Sequence, residues 1–100
     1  MSAAMSPTPR FVLGAAAVET EVDGEVIALN AETANCYGLN GVGSRIWRLL
    51  AEPRTAAEIG QALLAEYEVS AADCARAVEG LLADLLAEGL VERADLHSRR

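Results

Sequence analysis

The chain has no lysine and a single histidine, and each absence narrows what it can do. All eight basic residues are arginines, set against fifteen acids for a formal charge of −7. Nonspecific nucleic-acid affinity depends on counterion release by clustered basic side chains, so this balance disfavours phosphate-bearing partners. Cys36 and Cys74 are the two cysteines, far apart and with only His97 to join them, too few ligands for a Cys/His zinc site. Their positions, in a strand-like and a helix-like segment, predict buried free thiols. No apolar run reaches the roughly 18 residues that cross a bilayer. Phe11–Val18 resembles the apolar part of a signal peptide, but only Arg10 supplies a basic segment before it and strand-like sequence follows at once. A cytoplasmic protein is the default expectation.

Catalytic groups are equally scarce. Ser44 lies in Gly41-Val-Gly-Ser-Arg45, which lacks the last glycine of a nucleophile elbow and any placed histidine partner. Gly41-Val-Gly43 has neither the lysine nor the spacing of a phosphate-binding loop. Ser44 is also not flanked by the Asp and Leu of a phosphopantetheine carrier. The residues therefore predict no enzyme, no metal and no cofactor.

With 52% apolar residues, a single core is feasible. Met1–Arg10, rich in Ser, Ala and Pro, reads as a tail, residues 11–93 as one domain, and 94–100 as a frayed end. Val18-Glu-Thr-Glu-Val22 alternates apolar and polar residues, as a half-buried strand does. Asp23-Gly24 is a two-residue hairpin signal, because both central positions of a type I′ turn need positive φ. Val26, Ile27 and Leu29 form the return strand, Asn30 to Asn35 a polar turn, and Cys36 to Leu39 a third strand. Asn40 caps a helix over Gly41–Ala51, with Val42, Ile46, Trp47, Leu49 and Leu50 on its packed side, and Pro53 stops it. Thr55 and Glu58 make a capping box for a second helix with Ile59, Leu63 and Tyr67 on its apolar face. Ser70 and Asp73 repeat that arrangement for a third helix, lined by Val78, Leu81, Leu82, Leu85 and Leu86. Gly89 and Leu90 have the spacing of a Schellman stop. The fold class is thus α+β: a three-stranded antiparallel sheet followed by three helices, in the proportions of a winged helix-turn-helix.

Asp73, Ala77, Gly80 and Asp84 recur at i, i+4, i+7 and i+11 and so share one stripe of the third helix. Small residues there would let another backbone approach, although Gly80 would equally serve to pack a neighbouring helix or be simply tolerated. If the stripe faces the third strand, the two form a groove with an unpaired sheet edge as one wall, suited to an extended peptide. DNA binding is the rival reading. Its recognition helix would offer Arg76 alone against Asp73, Glu79, Asp84 and Glu88. A small oligomerisation module is a further alternative, and the oligomeric state stays open.

The segments Asp23–Asn30, Tyr37–Asn40, Ser44–Trp47, Pro53–Thr55, Glu66-Tyr67 and Leu85–Leu90 together resemble the PqqD-like family, the leader-binding RiPP recognition elements. The resemblance spans roughly Val18 to Glu92. It implies that the leader of a ribosomally made precursor pairs with the third strand and lies against the third helix, so that the chain presents the precursor to a separate modifying enzyme. The implied peptide-binding residues are Asn35, Cys36, Tyr37, Gly38 and Leu39 together with Asp73, Arg76, Ala77, Gly80 and Asp84. The Tyr-Pro-Glu-Gly-like strand of pyrroloquinoline quinone proteins is absent. Asn35–Leu39 looks more like the discrete B1 proteins of lasso peptide pathways, whose partners are a leader peptidase and an ATP-dependent cyclase.

Overall fold

The computed structural model describes residues 8–94. Both expected tails fall mostly outside them, as does His97. Arg10, assigned above to the N-terminal tail, instead opens the first strand.

The expected meander is present. β2 (Ala17–Val22), β3 (Glu25–Asn30) and β4 (Cys36–Gly38) pair antiparallel in the order β2-β3-β4. Asp23 and Gly24 take φ of 55° and 83°, as the type I′ turn requires. Val26 and Ala28 point inward and are fully buried, whereas Ile27 and Leu29 point to the other face and are partly buried. The next helices are α1 (Gly41–Leu49), α2 (Ala56–Glu66) and α3 (Ala71–Ala87). The Asn40 cap and the Thr55–Glu58 box predicted from sequence are formed, whereas the Ser70–Asp73 box forms in one half only, the Asp73 carboxylate pairing with Arg76. Asn40 Oδ1 accepts from Gly43 N at 2.8 Å, and Thr55 and Glu58 bond reciprocally. Ser70 Oγ accepts from Asp73 N at 3.1 Å. At the end of α3, Gly89 has φ 72°, Leu90 N donates to Leu85 O and Gly89 N to Leu86 O, which completes the Schellman motif.

A second sheet was not legible in the sequence. β1 (Arg10–Leu13) lies between β5 (Arg54–Thr55) and β6 (Val91–Arg93), joining the two ends of the domain. The apolar run that resembles a signal peptide thus supplies a central strand, with Phe11 and Leu13 packed against the core.

The core gathers Trp47, Ile46 and Leu50 of the α1 region, Ile59 and Leu63 of α2, Val78, Leu82 and Leu85 of α3, and the inner face of β3. Truncating an aromatic in such a place costs about 3–5 kcal/mol, and Trp47, 1% exposed, also donates from Nε1 to Glu19. Three residues expected on packed helix faces are instead exposed: Val42, Tyr67 and Leu86. Tyr67 lies past the last turn of α2, where helical spacing no longer governs its direction.

A free sheet edge beside the long helix

β4 pairs with β3 on one side only, and no strand of the described residues covers its other side. The register fixes which groups are bare. Leu39 N donates to Val26 O, and Asn30 N to Asn35 O. Odd-numbered residues of this segment therefore turn their main chain toward β3. Since N–H and C=O directions alternate along a strand, the main-chain groups of Cys36 and Gly38 point out at the open edge.

Side chains alternate as well. Asn35, Tyr37 and Leu39 face α3 and the core. Tyr37 Oη donates to Asp84 Oδ2 at 3.0 Å, and Asn35 Nδ2 to Glu88 Oε1 at 3.4 Å. Burial, and then the hydrogen bond to Asp84 and the nearby Glu88 charge, push the Tyr37 phenol above its ordinary pKa. Between β4 and α3 runs a groove of about 470 Å3, lined by Tyr37, Gly38, Val42, Val69, Ala77 and Leu81, with Leu39 and Ile46 beneath. Val42 and Val69 are 37% and 41% exposed, apolar surface that the domain's own core leaves uncovered.

Two polar devices hold the edge in place. Ser44, fully buried, accepts from Val26 N at 2.8 Å and donates to Leu39 O at 3.2 Å. Its hydroxyl thus stands in for the last rung of the β3–β4 ladder, a structural use for the serine that was excluded as a nucleophile. Asn30, 5% exposed, donates to Glu88 O at 2.9 Å and accepts from Glu32 N, which ties the β3–β4 turn to the end of α3.

Of the residues expected in the site, Tyr37, Gly38, Leu39 and Ala77 line the groove, and Asp84 meets it through Tyr37. Gly80 does not pack against another helix: a Cβ there would meet nothing within 4 Å. Asp73 and Arg76 are exposed and pair with each other at the far end of α3. Cys36 is exposed, not buried, because its side chain lies on the face opposite Tyr37; Cys74 is buried as expected, and both are free thiols. Val42, Val69, Asn30 and Glu88 were missed. The only sequence signal for the first two was an apolar side chain near a helix start. Neither Asn30 nor Glu88 stands out in a polar turn and an acidic helix end.

Among the described residues there is no cluster of His, Cys, Asp or Glu able to hold a metal, and no helix is long and apolar enough to cross a membrane.

Two solved structures share the fold. One is "TbiB1 in Complex with the TbiA(beta) Leader Peptide", 37% identical, covering 81% of this chain and 94% of that one with a TM-score of 0.75. The other is "Lasso peptide synthetase B1 complexed with the leader peptide", 24% identical, covering 82% of this chain and 96% of that one with a TM-score of 0.73. No curated protein matches the chain. The profile of "Coenzyme PQQ synthesis protein D (PqqD)" matches residues 25–91, a span that takes in β3, the bare edge of β4 and all three helices. On that match the chain belongs to the PqqD family.

Proposed function

We propose that this protein binds the leader segment of a ribosomally made precursor peptide and presents it to a separate modifying enzyme, contributing no catalytic group of its own. The observation that carries the reading is the edge of β4, unpaired and facing an apolar groove on α3. An extended leader would add as a strand, its main chain bonding to Cys36 and Gly38. Its inward side chains would fall between Val42, Val69, Ala77 and Leu81. The 37% identical structure, a complex with a leader peptide, supports it. So does the acidic exposed side of α3, where Arg76 is already paired and Asp73, Glu79, Asp84 and Glu88 would repel a phosphate backbone. The two partners of lasso B1 proteins, a leader peptidase and a cyclase, are the enzymes it would serve.

The test is fluorescence anisotropy with the labelled synthetic leader of a precursor peptide sought among the reading frames that flank the gene. Saturable binding, weakened by filling the groove at Ala77→Trp, is expected. No binding by the folded protein at concentrations well above those usual for such domains would refute the reading.

A further inference from the structure

The sheet has a second face, turned away from the groove, and it is not the polar surface a one-sided antiparallel sheet normally presents to water. Register aligns Val18, Leu29 and Cys36 side by side across β2, β3 and β4, with Thr20, Ile27 and Gly38 in the next row. Val18 and Val22 are 50% and 53% exposed. Beside Ile27 and Gly38 the face dips into a depression of about 430 Å3, open because a Cβ on Gly38 would meet nothing within 4 Å. No element of the described residues covers this surface. Its rim is acidic, with Asp23 and Glu25 at the hairpin end and Glu32 beyond the other end of β3, all exposed. Arg48, the cation nearest the hairpin, reaches Gly24 O and pairs with Glu21, whose side chain lies on the inner face.

We infer that this outer sheet face is the docking surface for the enzyme that processes the bound peptide, and that the enzyme meets it with an apolar patch edged by Lys or Arg. The inference rests on the leader-binding reading above. Two features select this occupant. The face is continuous with the β4 edge. A strand added there would extend the sheet, and every second side chain would emerge beside Cys36 and Gly38 on this same surface. A protein seated on Val18, Leu29 and Ile27 would therefore touch the peptide without displacing it. The acidic rim then favours a basic approach and disfavours a second copy of this chain. Antiparallel self-pairing through β2 centred on Thr20 would set Glu19 of each copy opposite Glu21 of the other, and like charges directly opposed destabilise a sheet.

The test uses the full chain carrying Val18→Lys and Val22→Lys, with the precursor and the processing enzyme taken from the flanking reading frames. Labelled leader should bind the variant within about twofold of the unsubstituted protein, since neither valine lines the groove. The enzyme concentration giving half-maximal processing should rise by about tenfold or more, as when a central interface contact is lost. Thr20→Arg, an exposed change on the same face, serves if the double variant does not fold. Normal processing with either folded variant would overturn the docking surface while leaving leader binding intact. Absence of leader binding by the unsubstituted protein would overturn the reading beneath it. A dimer of the unsubstituted protein that the substitutions abolish in sedimentation would assign the face to self-association and likewise overturn the inference.

Discussion

The hydroxyl of Tyr37 reaches the carboxylate of Asp84 at 3.0 Å across 47 residues of sequence, joining the middle of an edge strand to the last turns of the long helix. With Asn35–Glu88 and Asn30–Glu88 it sets how far β4 stands from α3, and so the width of the groove.

Tyr37→Phe removes that tie and keeps the ring. Global stability should fall by about 0.5–1.5 kcal/mol, the usual net worth of one hydrogen bond, in urea unfolding. Leader affinity should fall as the groove loosens. A phenol whose pKa is raised on folding favours its neutral form there, so the stabilisation is complete below the ordinary value of about 10 and fades as pH rises through the raised one. Ultraviolet titration of the unsubstituted protein against Tyr37→Phe should assign to Tyr37 a transition above that ordinary value.

Gly80 separates stability from binding. Gly80→Ala should raise stability by about 1 kcal/mol, because mid-helix glycine is unfavourable and the site is open. Gly80→Leu should fold equally well, yet weaken the leader, since position 80 lies between Ala77 and Asp84 on the stripe that borders the groove. Equal leader affinity in both folded variants would remove Gly80 from the site.

Ser44→Ala should destabilise by about 1–3 kcal/mol, the penalty for leaving Val26 N–H and Leu39 C=O buried without their shared partner. Denaturant midpoints of the two proteins check it. Reduced leader binding should accompany the loss, because Leu39 is where β4 is anchored.

Gly38→Pro addresses the edge directly. Its N–H points outward, and proline is tolerated where the missing donor faces away from the sheet. The variant should keep its circular dichroism spectrum and lose most of its leader affinity, measured by anisotropy.

Local chemistry made much of this fold legible. Asp23-Gly24, Thr55 with Glu58, and Gly89 with Leu90 each announce a backbone conformation within a few residues, and each is found. The β5-β1-β6 sheet depends on pairing Phe11 with Arg54 and Arg93, separations over which a short strand leaves no periodic mark. The strand holding Cys36 was read correctly but its side was not. A shift of one residue turns a side chain to the other face, and three residues are too few to fix the phase. Helical spacing likewise placed Val42 and Leu86 on apolar faces without revealing that the groove or solvent, and not the core, lies opposite.

Amide hydrogen exchange of Cys36 and Gly38, measured with and without saturating leader peptide, bears most directly on strand addition. Both amides should exchange rapidly in the unliganded protein and become strongly protected in the complex, while the odd-numbered amides of Tyr37 and Leu39, already bonded to β3, change little. Fast exchange at Cys36 and Gly38 in a protein saturated with leader would contradict the account.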